Sequence, residues 1–462
     1  MRKIVPMVCA ALLFTGCTGY SQLDVDNLQH RLDSLSAEVD RATGIFDTLE
    51  IDQPHQEPDE RPVLEIIANG FSYENSSVEN YRKLAEAGFT VVSQYMGHSV
   101  ELNRTAMDAA EKAGMKVIIS LHDFVYGYWI DHLSASFEQV KTYIDGVKDH
   151  PALWGYSFAD EPKVLHQIEG IRAVKDYMLQ LDTDHVYFCN IAGCNASLPF
   201  FTYGISQEDM DFYYNQYVQK FGSNYINNYQ DYLDHYMDTT QWDFICFDSY
   251  PLDLAAPKVE NKFYESLEYV SAEAEKRGVP MWAYLASGVW NNVMPSPTEE
   301  GIKYQMYTCL AYGAQTICYY AYEGNEQNPL TPDGRYTEVY DHVKATNLEA
   351  NKRAFIFAGG EVEGVWHTAD VPNRARRFSN SVLPEGVSTL EAEKAALVSV
   401  ISNKGHQYLV VVGRTPYEDN VVTIEFSKRV SHINPEGEFA YVMPGSSRYL
   451  LKKGGALTFQ IK

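Results

Sequence analysis

From Pro62 onward the hydrophobic and polar positions repeat one unit: a short apolar run, a polar turn, and an amphipathic stretch with helical spacing. The helical stretches carry stop signals, such as Gly88 after "ENYRKLAEA" and Gly114 after "RTAMDAAEKA". The apolar runs predict strands at 63–71, 89–95, 115–123, 153–159, 185–191, 244–250, 280–286 and 316–322. Strands and helices in strict alternation predict an α/β fold, a parallel (β/α)8 TIM barrel over residues 61–353. A doubly wound open sheet is the competing topology, but no glycine-rich nucleotide fingerprint follows an early strand.

After about Phe355 the helical spacing ends and short apolar runs alternate with Gly, Asn and Pro turns. These runs include "ALVSVISNKGHQYLVVVGR", "NVVTIEFS", "FAYVMPG" and "GALTFQIK". The pattern predicts a C-terminal antiparallel β-sandwich over residues 354–462.

Residues 17–60 have a different pattern of apolar and polar positions. Apolar residues fall at alternating intervals of three and four, at Val25, Leu28, Leu32, Leu35, Val39, Ala42, Phe46 and Leu49. This heptad pattern predicts a helical or coiled-coil stalk, which the prolines of "DQPHQEPDERP" terminate. An intermolecular coil would make the protein a homo-oligomer. The alternative is a single amphipathic helix packed on its own body.

The first sixteen residues have the features of an export signal: Arg2 and Lys3, an apolar run over residues 4–14, and "FTGC". This segment is similar to a bacterial lipoprotein signal, in which Cys17 is acylated and becomes the mature N-terminus. The apolar run is too short to span a membrane as a helix. We expect an exported protein that is lipid-anchored in the bacterial cell envelope, at the outer membrane, facing the periplasm or the cell surface. The alternative is an ordinary cleaved signal with an incidental cysteine.

The charge and the composition of the chain limit the classes of binding partner that we expect. The formal charge of −25 disfavours contact with phosphate backbones, so we expect no nucleic-acid partner. The 34 Tyr offer flat faces that can stack on sugar rings, although a large core would use them as well. The five cysteines from Cys189 to Cys318 fit buried thiols, with a Cys189–Cys194 disulfide as the alternative. Neither their spacing nor "HDFVYGYWIDH" fits a metal site, and we expect no cofactor.

The stretch "LWGYSFADEP" reads as a buried strand that ends in two carboxylates, Asp160 and Glu161. In a parallel barrel the carboxyl ends of all strands line one open mouth. Acids, amides and aromatic residues converge there, with few cations: Tyr95, His122, Asp123, Asp160, Glu161, Asn190, Asp248, Tyr250, Tyr284, Tyr322 and Glu323. Such a mouth suits a neutral polyhydroxylated ligand better than an anion. A helix N-cap is the alternative role for Asp160.

Four segments in this order resemble the clan A glycoside hydrolases: "HPALWGYSFADEP", "FDSYP", the strand "PMWAYLASG", and "EEGIKYQMYTCLAYGAQTICYYAY". The resemblance covers roughly residues 62–350 and implies a (β/α)8 barrel with a C-terminal β-sandwich that hydrolyses glycosides. It makes Glu161 the acid/base at the end of strand four and places Asp160 where the family has Asn. The family's nucleophile is a Glu at the end of strand seven, where this sequence offers Leu285 or Ala286.

Because the strand-seven Glu is missing, the sequence does not identify the second catalytic carboxylate. We expect Glu161 to be the general acid, with Glu323 or Asp248 as the base or nucleophile and Asp123 as a further candidate. Carboxyl groups about 6.5–9.5 Å apart would admit a water between them and lead to inversion. For Glu323 and Asp248, a structural or ligand-binding role is the alternative.

The remaining predicted contacts are with the carbohydrate substrate: Asp160, Asp123, His122, Tyr95, Asn190, Tyr250, Trp282, Tyr284 and Tyr322. Two other functions stay open. One is a glycan-binding lipoprotein that kept the cleft and lost catalysis together with the strand-seven Glu. The other is a scaffold protein whose functional part is the stalk.

Overall fold

The computed structural model describes residues 61–94, 99–122, 124–125, 134–162, 165–194, 229–252, 259, 261–289 and 298–462. The predicted signal, Cys17, the stalk, Tyr95 and Asp123 lie outside these residues. In the part of the chain that is described, no helix combines the length and the apolar character that crossing a membrane requires.

Eight parallel strands close into a barrel in sequence order, and β8 pairs with β1. Their bounds are β1 Glu65–Phe71, β2 Val91–Gln94, β3 Lys116–Ser120, β4 Leu153–Asp160, β5 Val186–Ala192, β6 Ile245–Asp248, β7 Met281–Ala286 and β8 Ala314–Tyr320. Each of them overlaps one predicted strand, so the TIM-barrel prediction is confirmed. The C-terminal sheets described below confirm the sandwich part of the predicted fold class, whereas the predicted N-terminal helical stalk lies outside the described residues.

A helix follows each barrel strand. Their bounds are α1 Val78–Glu86, α2 Val100–Lys112, α3 Ser134–Val147, α4 Leu165–Met178, α5 Tyr229–Thr240, α6 Asn261–Arg277, α7 Glu299–Ala311 and α8 Glu338–Lys352. Hydroxyl side chains begin several of them: Ser77 accepts from the N–H of Asn80, and Ser99 from that of Leu102. Gly88 and Gly114 follow α1 and α2 at φ +80° and +74°, a region that favours glycine.

The barrel interior is filled by the inward side chains of alternate strand positions. At its lower end, near the first residues of the strands, Trp282 stacks on Phe244 with ring centroids 3.8 Å apart. Trp154 and Phe188 pack on the same indole at 5.6 and 6.2 Å. These four aromatic rings fill the barrel at the end opposite to the carboxyl ends of its strands.

The short helix α9, Ala354–Phe357, leads into two antiparallel sheets. Their strands are β9 Glu361–His367, β10 Val387–Ala392, β11 Ala396–Asn403, β12 His406–Gly413, β13 Asn420–Phe426, β14 Val430–Ile433, β15 Phe439–Val442, β16 Gly445–Leu451 and β17 Ala456–Gln460. One sheet has the order β10-β13-β16, and the other has the order β15-β14-β17-β12-β11-β9. They enclose a core that includes Val398, Val411 and Ile424, which makes this part of the chain a β-sandwich.

The central strands β11 and β12 of the six-stranded sheet are buried on both faces. Along β11, Val398 and Val400 belong to the sandwich core, whereas Leu397 and Ile401 belong to the core shared with the barrel helices. This explains why "ALVSVIS" is continuously apolar rather than alternating. The sandwich is therefore packed directly on the barrel.

Candidate active site

The end of β4 places Glu161 at the mouth in an unusual backbone conformation. Asp160 pairs with Asn190 of β5, and the Glu161 N–H donates to the Asn190 carbonyl at 3.1 Å. Glu161 then adopts φ +42°, a left-handed conformation that few residues other than glycine take. The Asp160 side chain is exposed and that of Glu161 is half-buried. Conformations of this kind are costly and cluster at functional sites.

Tyr250 connects the acids of β4 and β6. Its hydroxyl lies 3.5 Å from Oδ2 of Asp248, the last residue of β6. Burial raises the pKa of Tyr250 well above its ordinary value, and the negative charges of Asp248, Asp160 and Glu161 raise this pKa further. The carboxylates of Asp160, Glu161 and Asp248 therefore lie close enough to the phenol to act on its ionisation.

Three other predicted residues border this group. Asn190 is buried and lies beside Asp160 on β5. Tyr284 pairs with Asp248 across β6 and β7 and is 4% exposed. His122, just beyond β3, has its Nε2 2.9 Å from the Ser157 hydroxyl of β4. The structure thus brings His122, Asp160, Glu161, Asn190, Asp248, Tyr250 and Tyr284 to the carboxyl ends of neighbouring strands.

Glu323 has a defined structural partner. It follows β8, is 8% exposed, and its Oε2 accepts the backbone N–H of Ser72 at 2.9 Å. Ser72 follows β1, so this carboxylate ties together the segments after the two strands that close the barrel.

Two residues predicted as substrate contacts, Trp282 and Tyr322, lie away from the mouth. Trp282 is the second residue of β7, so its inward indole lies at the lower end of the barrel, away from the mouth. Tyr322 is fully buried, with its ring 6.1 Å from that of Phe71 and 5.3 Å from that of Phe89. Strand β8 ends at Tyr320, two residues earlier than predicted, and Tyr322 turns into the core between strands and helices.

Ala286 occupies the inward position at the end of β7. Trp282 and Tyr284 belong to the barrel interior and Leu285 to the core outside the barrel, so strict alternation turns Ala286 inward. Ala286 pairs with Tyr320 of β8. A methyl group therefore stands where the resemblance to the glycoside hydrolases places a nucleophilic carboxylate.

Three tyrosines of α5, which the sequence interpretation missed, donate hydrogen bonds to β5 and to the segment that follows β4. The hydroxyl of Tyr229 donates to the Ala192 carbonyl at 2.6 Å, and that of Tyr232 to the Pro162 carbonyl at 2.6 Å. Tyr236 donates to the Cys189 carbonyl at 3.3 Å. Their spacing of three and four in "YQDYLDHYMD" is the available signal, because it puts all three on one helix face.

Within the described residues, one group has donor atoms close enough for a metal ion: Asp108, Glu111 and His150. It lies before β4, at the opposite end from the mouth. His150 Nε2 is 3.0 Å from Asp108 Oδ1, and its Nδ1 accepts the Ala152 N–H at 3.1 Å. Both ring nitrogens are thus engaged with the protein. The five thiols from Cys189 to Cys318 are free, so the alternative Cys189–Cys194 disulfide is not formed.

Comparison with known proteins agrees with this architecture. A family model described as β-galactosidase, of glycoside hydrolase family 42, matches residues 213–354. A solved structure described as a glycoside hydrolase aligns with a TM-score of 0.52 and 10% identity, covering 88% of this chain and 94% of the other. A glycoside hydrolase family 5 protein from Bacteroides vulgatus aligns with the same TM-score and identity, covering 88% and 90%.

The β-galactosidase of the psychrophilic Marinomonas ef1 aligns with a TM-score of 0.39 and 13% identity, covering 63% of this chain. This chain spans 60% of the length of that enzyme. No curated protein matches the chain. The family match, the closed parallel barrel and the two structures with the higher TM-score confirm the resemblance to clan A (β/α)8 glycoside hydrolases with C-terminal sheets.

Proposed function

We propose that this chain, a (β/α)8 barrel of the clan A glycoside hydrolase type, hydrolyses a glycosidic bond in an oligosaccharide or polysaccharide. One observation carries the proposal: Asp160 and Glu161 at the end of β4 and Asp248 at the end of β6 lie at the same mouth of the barrel, where Asp248 is 3.5 Å from the Tyr250 hydroxyl. Glycoside hydrolysis needs two carboxyl groups on either side of the scissile bond.

Glu161 is the general acid in this proposal and Asp248 the general base. Glu161 gives its proton to the glycosidic oxygen as the bond to the sugar breaks, and Asp248 takes a proton from the attacking water. Strand β5 separates β4 from β6. The proposal expects the two carboxyl groups to lie about 6.5–9.5 Å apart, a separation that leaves room for a water and leads to inversion of the anomeric configuration.

Asp248 is preferred to Glu323 as the partner of Glu161. The Glu323 carboxylate already accepts a backbone N–H and follows the strand that closes the barrel. Asp248 lies 3.5 Å from the Tyr250 hydroxyl, and the charge of Glu161 acts on the same phenol. The substrate is a neutral sugar, because an anionic one would face the three carboxylates of Asp160, Glu161 and Asp248.

A glycan-binding protein without catalysis is the second candidate, and Ala286 is the observation that favours it. A barrel that lost its strand-seven acid would keep the cleft and bind sugars without cleaving them. Both candidates predict sugar binding, so only turnover separates them.

The test begins with a panel of glycans and detection of new reducing ends. Glu161→Gln keeps the shape of the side chain and removes the proton that it donates. Turnover of an ordinary glycoside should fall by about 10²–10⁴, whereas a substrate with a strongly acidic leaving group should lose much less. Asp248→Asn should be nearly inactive on both substrates, and Glu323→Gln serves as the matched control with turnover close to wild type.

Anomeric proton NMR of the first product should show inversion. If Glu161→Gln cleaves the ordinary glycoside as fast as wild type, the acid assignment is wrong. If the wild-type protein binds sugars and cleaves none, the glycan-binding candidate replaces the hydrolase.

A further inference from the structure

Helix α5 carries a row of stacked tyrosines that contact the ends of β4 and β5. Tyr229 and Tyr232 have ring centroids 5.8 Å apart, and Tyr232 and Tyr236 have centroids 6.1 Å apart. Tyr232 is 1% exposed. The stacked rings form a rigid surface from which the hydroxyl groups project toward β4 and β5.

Tyr232 holds the turn that carries Glu161. Its hydroxyl donates to the carbonyl of Pro162, the residue that follows Glu161. On the other side, the Glu161 N–H donates to Asn190. Two hydrogen bonds therefore hold the left-handed conformation of Glu161: the Glu161 N–H donates one, and the carbonyl of Pro162 accepts the other. A strained conformation persists only when its surroundings hold it in this way.

Tyr229 holds the other acid through β5. Its hydroxyl donates to the carbonyl of Ala192, which is the β5 partner of Asp248. The N–H of the next residue, Gly193, donates to the Asp248 carbonyl at 2.7 Å. One helix thus reaches the strand end of Glu161 and that of Asp248 through two neighbouring hydroxyl groups.

We propose that Tyr229 and Tyr232 are positioning residues that together set the separation between the carboxyl groups of Glu161 and Asp248. The inference rests on the proposed function. The two phenols stay protonated, and so remain donors, because burial raises the pKa of each well above its ordinary value. The charges of Glu161 and Asp248 raise both pKa values further, in agreement with the short path from each phenol to both acids.

The test uses Tyr232→Phe, Tyr229→Phe and the matched control Tyr236→Phe in the full chain. Each change removes one hydroxyl and keeps the stacked ring. Misplacement of a catalytic group by about 1 Å can cost about 10²-fold, so we expect kcat losses of roughly 10- to 100-fold for the first two, with KM little changed. Tyr236→Phe should match wild type, because Tyr236 bonds the middle of β5 at Cys189.

The two variants should differ in their dependence on the leaving group. Tyr232→Phe displaces the acid, so its loss should be large on an ordinary glycoside and small on one with an acidic leaving group. Tyr229→Phe displaces the base, so its loss should be similar on both. If Tyr229 and Tyr232 were purely structural, both variants would have a lower thermal unfolding midpoint and the same dependence on the leaving group. That result would overturn the inference.

The outcomes separate the inference from the function beneath it. If Glu161→Gln is inactive while Tyr232→Phe and Tyr229→Phe behave as wild type, the positioning role alone is wrong. If wild type cleaves no glycoside, or Glu161→Gln is fully active, the proposed function and this inference both fall. Should Tyr232→Phe not fold, the leaving-group dependence of Tyr229→Phe decides by itself.

Discussion

The imidazole of His367, at the end of β9, is completely buried where the sandwich meets the barrel. Its Nε2 lies 2.9 Å from the hydroxyl of Tyr312, which in turn is 2.7 Å from the carboxylate of Glu268. Burial lowers the pKa of His367 to about 3, and the positive charge of Arg414 acts in the same direction. The folded protein therefore holds this histidine neutral at pH values where the unfolded chain protonates it.

This difference predicts a loss of stability in acid. A histidine whose pKa is lowered by folding stabilises the protein fully above its unfolded pKa, near 6.5. That contribution is lost as the pH falls from about 6.5 toward 3, by an amount on the order of a few kcal/mol. His367→Phe keeps an aromatic ring and removes the titration, so its free energy of unfolding should decline less between pH 7 and pH 4. His406→Phe on β12 is the control, and an equal decline in both variants would contradict the prediction.

Single residues also show what the sequence could predict of the site. Glu161 and Asp248 end apolar strands, and that pattern alone put them at the mouth. Trp282 and Tyr322 were predicted at the mouth but lie elsewhere. The distance of a residue from the mouth depends on where its strand begins and ends relative to the neighbouring strands, which the sequence pattern does not fix. The roles of Tyr229 and Tyr232 depend on where α5 packs, which the local pattern does not fix.

Among the secondary-structure elements, β4 is the most constrained. Its register against β3 and β5 shifts at two points, near Gly155 and before Asp160. A Cβ on Gly155 would stand 2.3 Å from the carbonyl oxygen of Val186 on β5. Only glycine lets the two backbones approach this closely.

Gly155→Ala should therefore push β4 away from β5 and displace the strand end that carries Glu161. We expect a loss of about 1–3 kcal/mol in the free energy of unfolding, the usual cost of an added group without space, together with reduced turnover. Gly413→Ala is the matched strand control, since the nearest atom to its added Cβ lies at 3.7 Å. Denaturant unfolding of both variants checks the prediction, and equal stability would argue against the tight β4–β5 contact.

At this scale the sequence was most informative. The number, order and type of the barrel elements followed from hydrophobic spacing and glycine stops. The predicted ends of β6 went beyond the observed strand, because its apolar run is longer than its hydrogen-bonded ladder. The register shifts of β4 stayed invisible, because they depend on the partner strands.

In the whole molecule, Arg353 connects barrel and sandwich. It is fully buried after α8, donates to the carbonyl of Ala456 on β17 at 3.1 Å, and pairs with Glu349 at 2.6 Å. Its guanidinium also lies over the ring of Tyr307, 4.5 Å from the centroid. The contact joins the start of the last strand to the helical layer of the barrel.

Arg353→Met should cost about 3–5 kcal/mol, the usual penalty for removing one member of a buried ion pair. The neighbouring Lys352→Met removes an exposed pair with Glu436 and should cost at most about 1 kcal/mol. Denaturant unfolding followed by tyrosine and tryptophan emission should show the loss. If Arg353→Met unfolds in one transition and is as stable as wild type, the barrel and the sandwich are held together by apolar packing alone.

The aromatic rings at the lower end of the barrel close the barrel axis at that end. With Trp282 stacked on Phe244 and flanked by Trp154 and Phe188, a sugar chain has no route through the barrel axis. A ligand that enters the mouth must therefore leave through the mouth. Under the proposed function, the released product and the next substrate use the same opening, so product release rather than bond cleavage can limit the rate of turnover.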